Sequence, residues 1–210
     1  MADRKYEMLV DLSRCIGCNA CVIACKMENE VPLTKFNTWI ESWDVEDGAG
    51  FIRRANLPKL CNHCENPACV HVCPTAASHV ADDGTVQIDV DKCIGCKYCM
   101  AACPYGVRWF NDESGDVHKC TFCEHRVSNG LLPACVGNCV TGARMFGDPN
   151  DPDSDLSRRL VEAPGTEVLL EDMGMAPSVR YVGLDDTMGM TRVSAIHQGG
   201  NVKTPYEGRQ

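Results

Sequence analysis

The residues of this sequence best suited to chemistry are its sixteen cysteines. They form four groups of four with none left over: group one is Cys15, Cys18, Cys21 and Cys25, group two is Cys61, Cys64, Cys69 and Cys73, group three is Cys93, Cys96, Cys99 and Cys103, and group four is Cys120, Cys123, Cys135 and Cys139. Thiolates at such short spacing are ligands for soft metals and for iron–sulfur clusters. The sequence therefore predicts metal centres built on cysteine.

Group three has the spacing of the bacterial ferredoxin motif, Cys-x2-Cys-x2-Cys-x3-Cys, followed by Pro104. In this motif three thiolates hold three corners of one [4Fe–4S] cubane, and the fourth cysteine ligates a neighbouring cluster. Group one has the same spacing, and groups two and four are longer variants. Gly17 and Gly95 are expected to let the loop backbone approach the sulfides without a Cβ in the way. Spacing alone leaves open which groups are paired.

Three other interpretations of the cysteines compete with redox clusters. Eight disulfides are disfavoured because Cys-x2-Cys pairs bridge poorly and because a chain made in a reducing cytosol keeps its thiols free. Zinc sites tend to use two Cys-x2-Cys knuckles separated by a longer loop. Clusters with a purely structural role are the third alternative, although four clusters in one small protein favour an electron relay.

The elements that must position these cysteines repeat in the order A-B-A-B. Residues 10–18 match residues 88–96, and the surroundings of Cys69 match those of Cys135, as expected after duplication of a two-cluster unit. Short strands are predicted before two of the cluster loops, and helices after them. The predicted strands are 6–10 and 85–89, and the predicted helices are 19–28 and 97–102.

Two segments lie outside the repeats. An insert at 26–60 is apolar enough to pack through its aromatic residues, which are Phe36, Trp39, Trp43 and Phe51. After residue 147 the composition shifts to an Asp- and Pro-rich run, with little core pattern beyond it. We therefore predict a duplicated core over 1–147 and an extended tail over 148–210 that docks on a partner subunit.

Charge and composition exclude several classes of function. A formal net charge of −9 without a basic cluster argues against nucleic-acid binding. Apolar runs fall well short of the roughly 20 residues that cross a bilayer, and the polar first residues predict no export signal. No hydrolytic triad or phosphate-binding loop is recognisable. Catalysis is therefore expected to belong to another subunit.

A few other side chains have candidate roles. His63 and Arg108 could raise a cluster potential by placing a donor or charge nearby, although solvated or capping side chains are the competing interpretation. Trp109 and Phe110 are expected to pack in the core. No role is assigned to the remaining histidines, which are His71, His79, His118, His125 and His197.

Residues 6–146 resemble the four-cluster iron–sulfur subunit of the dimethyl sulfoxide reductase superfamily of molybdopterin oxidoreductases. This subunit occurs with dimethyl sulfoxide, polysulfide, thiosulfate, tetrathionate and arsenate reductases, and segments 61–65 and 103–106 are especially similar. The resemblance implies an α+β fold of two packed bacterial-ferredoxin-like units, each with two [4Fe–4S] clusters, with insertions and the extended tail. One unit would be formed by groups one and four, and the other by groups two and three.

The resemblance also implies the pairing of the cysteines into four ligand sets. Set 1 is Cys15, Cys18, Cys21 and Cys139, set 2 is Cys25, Cys120, Cys123 and Cys135, set 3 is Cys61, Cys64, Cys69 and Cys103, and set 4 is Cys73, Cys93, Cys96 and Cys99. Some relatives hold a [3Fe–4S] centre where tryptophan replaces the second cysteine of a group. Here all second positions are cysteine, so four [4Fe–4S] clusters are expected.

The family's architecture implies the partners. The subunit would lie between a large molybdopterin catalytic subunit near set 1 and an integral membrane anchor that exchanges electrons with quinol near set 4. It would be peripheral to the membrane, on the periplasmic face, through co-export with a twin-arginine catalytic subunit, with the cytoplasmic face as an alternative. The runner-up function is the cluster subunit of a formate dehydrogenase or hydrogenase working in the oxidising direction. A zinc-binding interaction module is the alternative from another class.

Overall fold

The computed structural model describes residues 5–46, 49–163, 165–188 and 191–197. Its strands and helices follow one another in a mixed order. They are β1 (Glu7–Asp11), α1 (Ala20–Glu28), β2 (Thr38–Glu46), β3 (Ile52–Leu60), α2 (Ala68–His71), β4 (Ser78–Val80), β5 (Val86–Ile88), α3 (Tyr98–Ala101), β6 (Trp109–Phe110), β7 (Val117–His118), α4 (Glu124–Val127), α5 (Ala134–Gly137), β8 (Arg144–Gly147), α6 (Asp155–Glu162), β9 (Val179–Val182), α7 (Leu184–Met188) and β10 (Thr191–His197). Short 3-10 turns lie at Val90–Lys92 and Glu171–Met173.

Strand β1 is the centre of a three-stranded sheet in the order β8-β1-β9. It pairs antiparallel with β8 and parallel with β9. Successive side chains of a strand point to opposite faces, and both faces of β1 are covered: Met8 and Val10 lie in the main core, whereas Leu9 packs with Leu156 and Val182. The sheet therefore joins the first cluster loop to the last part of the chain.

The predicted elements around the cysteines are confirmed, with shifts of one or two residues. Strand β1 ends one residue later than predicted, at Asp11, and β5 is shorter at both ends. Helices α1 and α3 each begin one residue late, because Asn19 and Lys97 adopt left-handed conformations with φ of 61° and 64°. These two residues occupy equivalent positions in the repeat, so the duplicated loops share their backbone geometry.

The insert forms a long antiparallel hairpin of β2 and β3, with β10 on the other side of β2. Trp39 and Trp43 are buried, and Phe36 packs against the core, as predicted. The prediction is wrong for Phe51, which is 70% exposed. Phe51 lies at the end of the hairpin where β3 begins, and the first three residues of β3 are exposed as well.

The segment after residue 147 forms regular elements at Asp155–Glu162, Val179–Val182 and Leu184–Met188, which corrects the prediction of an extended tail at these positions. Helix α6 begins at the Ser154 cap and packs Leu156 against β1, and β9 adds a strand to the sheet. Tyr181 of β9 is fully buried, and its hydroxyl donates a hydrogen bond to the Pro58 carbonyl oxygen at 2.9 Å. These contacts join distant parts of the chain, which local composition does not reveal. Residues 198–210 lie outside the described residues.

Helix contacts pair the cysteine groups. Helix α1, which carries Cys21 and Cys25 of group one, contacts α5 of group four, and α2 of group two contacts α3 of group three. Two small hairpins, β4–β5 and β6–β7, flank the second pair. Within the described ranges, no helix has the length and apolar character needed to cross a bilayer.

Candidate metal centres

Two cavities are each lined by four cysteines from two different groups. One is lined by Cys61, Cys64, Cys69 and Cys103, and the other by Cys73, Cys93, Cys96 and Cys99. The structure thus brings together the cysteines of sets 3 and 4. In both cavities three cysteines come from one loop and the fourth comes from another group, as in a bacterial ferredoxin.

The remaining cysteines are brought together in the same crossed way. Burial raises the pKa of Cys15, and the neighbouring thiols of Cys21 and Cys139 add to the shift. Burial likewise raises the pKa of Cys25 to about 12, reinforced by Cys135 and then by Cys123 of group four. Because thiols affect one another's pKa only at short range, these neighbours agree with sets 1 and 2.

The four sets form a chain in the order 1-2-3-4. After burial, which is the largest cause in each case, a thiol of the adjacent set helps to raise the pKa: Cys21 acts on Cys135, Cys61 on Cys120, and Cys69 on Cys99. Cys18 of set 1 and Cys96 of set 4 are exposed. The two terminal sets therefore reach the surface, whereas the cysteines of the two middle sets are buried or half-buried.

Cys73 and Cys139, the last cysteines of groups two and four, are each surrounded by an equivalent set of hydrogen-bond donors. The backbone amide five residues further on contacts each thiol, at 3.3 Å for Cys73, and Thr75 and Thr141 lie 3.8 and 3.9 Å from them. Burial alone would raise the pKa of both thiols, but these hydrogen bonds hold it below its usual value. Both positions therefore stabilise the thiolate, which is the form that binds metal.

The loops of groups one and three turn through glycines with positive φ, 70° at Gly17 and 65° at Gly95. A Cβ at Gly95 would collide with the carbonyl oxygen of Gly115, and one at Gly17 would come within 2.5 Å of the Asn56 side-chain oxygen. The sequence predicted that these glycines give room to the sulfides. The structure shows that they also give room to the protein's own backbone and side chains.

Gly95→Ala is expected to destabilise the protein by at least about 1–2 kcal/mol, the cost of a left-handed conformation for a residue with a Cβ. The collision with Gly115 should add to that cost. Gly115→Ala is the matched control, because Gly115 also has positive φ, 77°, but a Cβ there meets no atom within 4 Å. The measurement is thermal unfolding of both variants. Equal losses of stability would contradict a role for the close approach.

The side chains Arg108 and His63 are buried, so their interpretation as solvated groups is wrong. Arg108 is 3% exposed, and its Nη2 donates hydrogen bonds to Cys69 Sγ at 2.8 Å and to Ser78 Oγ at 2.9 Å. Burial, followed by the charge of Lys119, holds the pKa of His63 well below its usual range, so this ring is neutral. Of the two, only Arg108 brings a positive charge to a candidate cluster.

Three residues near the thiols were missed by the sequence analysis. Asn29 Nδ2 lies 3.6 Å from the sulfurs of both Cys25 and Cys123. Arg144 and Lys119 are both buried beside cysteines. For Arg144 a signal exists, since Cys-x2-Gly-x-Arg occurs both at residues 103–108 and at residues 139–144. For Lys119 and Asn29 we find no such signal.

The donor sets fit iron–sulfur clusters. Among the described residues that line the cavities of sets 3 and 4, the metal-binding side chains are all cysteine, without carboxylate or histidine. Nor do any three His, Cys, Asp or Glu side chains within the described ranges converge on a point suited to a single ion. Thiolates that surround a cavity are what a cubane with four cysteine ligands requires.

Comparisons with known proteins agree with this chemistry. Two family models, each described as a 4Fe-4S dicluster domain, match residues 52–149 and 14–77. Together they include all four cysteine groups, and two dicluster domains account for four [4Fe–4S] clusters.

Several relatives of high similarity are named as subunits of oxidoreductases. A tetrathionate reductase subunit of Salmonella typhimurium is 46% identical over 184 residues, which cover 87% of this chain and 74% of the relative. A putative dimethyl sulfoxide reductase iron-sulfur subunit of Halobacterium salinarum is 44% identical, with 85% and 79% covered. A sulfite dehydrogenase subunit of Allochromatium vinosum is 39% identical, with 85% and 82% covered.

Proposed function

Since this chain belongs to the family of 4Fe-4S dicluster iron–sulfur subunits, we propose that it is the electron-transfer subunit of an anaerobic respiratory reductase. The observation that carries the proposal is the unbroken series of four cysteine sets, each next to the following one, with an exposed cysteine at either end. When bound, each [4Fe–4S] cluster accepts and donates one electron. The chain itself holds the clusters and sets their spacing, and it keeps the cysteines of the two middle sets buried or half-buried.

The ligand sets follow the crossed pattern. Set 1 takes Cys139 from group four and set 2 takes Cys25 from group one, whereas set 3 takes Cys103 and set 4 takes Cys73. The lining of two cavities supports sets 3 and 4. The influence of Cys139 on Cys15 and of Cys135 on Cys25 supports sets 1 and 2.

The core over 1–147 consists of two ferredoxin-like units, one built on groups one and four and the other on groups two and three. The contacts of α1 with α5 and of α2 with α3 support this division. Strand β9 adds residues beyond 147 to the sheet of the first unit. Docking of the tail, residues 148–210, on a partner subunit remains part of the proposal.

The partners are a large molybdopterin catalytic subunit and an integral membrane anchor that interacts with quinol. The exposed cysteines of sets 1 and 4 support partners at both ends of the series. The resemblance to the family assigns the catalytic subunit to set 1 and the anchor to set 4. The acceptor is of the sulfur, arsenic or sulfoxide type, and the subunit does not itself catalyse its reduction. It lies peripherally on the membrane, on the periplasmic face, after co-export with a twin-arginine catalytic subunit.

A second candidate is the same relay in the oxidising direction, as in a formate dehydrogenase or hydrogenase. A relative named as a sulfite dehydrogenase subunit keeps this candidate in view. The two directions use the same cysteine sets and differ in the catalytic subunit. Quinol-dependent reduction of an acceptor by the purified complex would favour the reductase, and reduction of quinone by formate or hydrogen would favour the dehydrogenase.

Protein purified without oxygen is expected to contain about sixteen iron atoms and a matching amount of acid-labile sulfide per chain, the content of four cubanes. The measurement is iron, zinc and sulfide per chain in the intact complex. About four zinc ions with little sulfide, one per group of four cysteines, would overturn the relay.

A further inference from the structure

We propose that one buried cation stands between each two neighbouring ligand sets and raises the reduction potentials of the two clusters that it separates. Arg144 lies between sets 1 and 2, Lys119 between sets 2 and 3, and Arg108 between sets 3 and 4. The inference rests on the proposed ligand sets and deepens the proposed relay. These three residues are not cluster ligands and act on the clusters through their positive charge.

Arg108 shows the arrangement most directly, because it lines both the cavity of set 3 and the cavity of set 4. Its Nη2 donates to Cys69 Sγ of set 3 at 2.8 Å, and Cys99 of set 4 is a second thiol that it contacts. Its buried Nη1 has no hydrogen-bond partner among the described residues. An unsatisfied buried donor is costly, so Nη1 is suited to the sulfur of a cluster.

Arg144 occupies the corresponding place in the other unit. It is 2% exposed, and its Nη2 donates to Thr38 Oγ1 at 2.8 Å. It contacts the thiol of Cys135 of set 2, and Cys21 of set 1 is also close enough to raise its pKa against the effect of burial. Its Nε and Nη1 are buried without a partner among the described residues.

Lys119 lies where the two units meet. It is 3% exposed, and its Nζ donates hydrogen bonds to the backbone carbonyl oxygens of Val86 and Cys120. Val86 lines the cavity of set 3 and Cys120 belongs to set 2, so the ammonium group lies between these two sets. Neighbours from two different sets thus surround the ammonium group, as they do the guanidinium groups.

A cation in such a place acts on two clusters at once. Reduction adds a negative charge to a cluster that four thiolates already make negative. A nearby positive charge stabilises the reduced form and so raises the potential, and burial leaves the interaction poorly screened by water and salt. Each cation therefore also reduces the repulsion between electrons on neighbouring clusters. The three together would offset part of the charge that four clusters add to an acidic chain.

The test is a redox titration of the purified complex followed by electron paramagnetic resonance. Arg108→Gln, Lys119→Gln and Arg144→Gln remove the charge and keep a polar group. Each is expected to make the reduction of two clusters at least tenfold less favourable, a shift of 59 mV for a one-electron couple. The Arg108 and Lys119 variants should both shift the signal of the set 3 cluster, and the Lys119 and Arg144 variants should both shift that of the set 2 cluster. The Arg108 and Arg144 variants should have no shifted signal in common. Arg158→Met, at an exposed arginine on α6, is the control without a shift.

Iron and sulfide content separates this inference from the relay. The inference alone is overturned if the variants keep about sixteen iron atoms and their potentials do not shift. It is also overturned if Arg108→Gln and Arg144→Gln shift the same signals. Unaltered protein without clusters would overturn the relay instead. If the glutamine variants lose their clusters, Arg108→Lys and Arg144→Lys decide. A reduction equilibrium within threefold of that of the unaltered complex supports a role for charge. Reduction that becomes tenfold less favourable contradicts it.

Discussion

Cys139→Ala is expected to abolish the cluster of group one, although Cys139 lies more than a hundred residues after that group. In the proposed set 1, Cys139 completes the ligands Cys15, Cys18 and Cys21, and the structure places its thiol next to Cys15. A cubane needs four ligands, so iron should fall by about a quarter. Because the clusters act in series, electron flow from quinol to the acceptor should stop as well.

The matched variants for this experiment are Cys15→Ala and Cys135→Ala. With crossed sets, Cys139→Ala and Cys15→Ala remove the same electron paramagnetic resonance signal, and Cys135→Ala removes a different one. With uncrossed sets, Cys139→Ala and Cys135→Ala would remove the same signal, and the proposed ligand sets would be wrong. Thr141→Val keeps all cysteines and removes the hydroxyl 3.9 Å from Cys139, so it should retain the cluster.

Arg159→Met is expected to destabilise the protein by about 3 kcal/mol, at the low end of the cost of breaking a buried ion pair. Arg159 Nη2 donates to Asp11 Oδ2 at 2.8 Å, which ties α6 to the end of β1. The Asp11 side chain is fully buried, whereas that of Arg159 is 26% exposed. Loss of the arginine leaves a buried carboxylate whose remaining side-chain hydrogen bonds, among the described residues, come from Ser13. For a chain of this size the melting temperature should fall by about 6–12 °C.

The pH dependence of this effect has a definite sign. Burial alone would raise the pKa of Asp11, but hydrogen bonds from Ser13 and Arg159 hold it below its usual value. The ionised carboxylate therefore stabilises the fold fully above its unfolded pKa of about 3.9. The contribution is lost as the pH falls through the lower folded pKa. The difference in melting temperature between Arg159→Met and the unaltered protein should be constant near neutrality and shrink below about pH 4.

The neighbouring residue Arg158 provides the control for this prediction. Arg158 pairs with Asp155 on the exposed side of α6, where both side chains are more than half exposed. Exposed pairs contribute about 0–1 kcal/mol, so Arg158→Met should change the melting temperature little. An equal effect of both substitutions would mean that α6 is stabilised by its helical propensity and not by Asp11.

Local features of this protein were predictable from sequence, and long-range contacts were not. The spacing of the cysteines and the repeat of residues 10–18 in residues 88–96 indicate the cluster loops and the elements beside them, because ligation of a cubane demands that spacing. The parallel pairing of β9 with β1 joins residues 179–182 to residues 8–11, and its short apolar run gives no sign of its partner. Residues 148–210 were consequently assigned to an extended tail.

Burial of charged side chains is the second feature that local patterns do not reveal. Lys119 is adjacent to Cys120 in sequence, yet a lysine beside a cysteine is usually exposed. Its burial depends on the carbonyl oxygen of Val86, which lies in another hairpin. The exposure of Phe51 also depends on the tertiary structure and not on the local sequence. Phe51 lies at the end of the β2–β3 hairpin, where the first residues of β3 are exposed as well.

The order of the strands has a consequence for synthesis on the ribosome. The cysteines of groups two and three lie within residues 61–103, whereas those of groups one and four run from residue 15 to residue 139, and the central strand β1 pairs with residues 179–182. Chains emerge from the amino terminus, and contacts between distant residues form late. The cysteines of groups two and three are therefore synthesised early, although Met175 is needed to complete the lining of the set 3 cavity. Strand β1 gains its last partner only when residues 179–182 have emerged, so the unit of groups one and four is the last to mature.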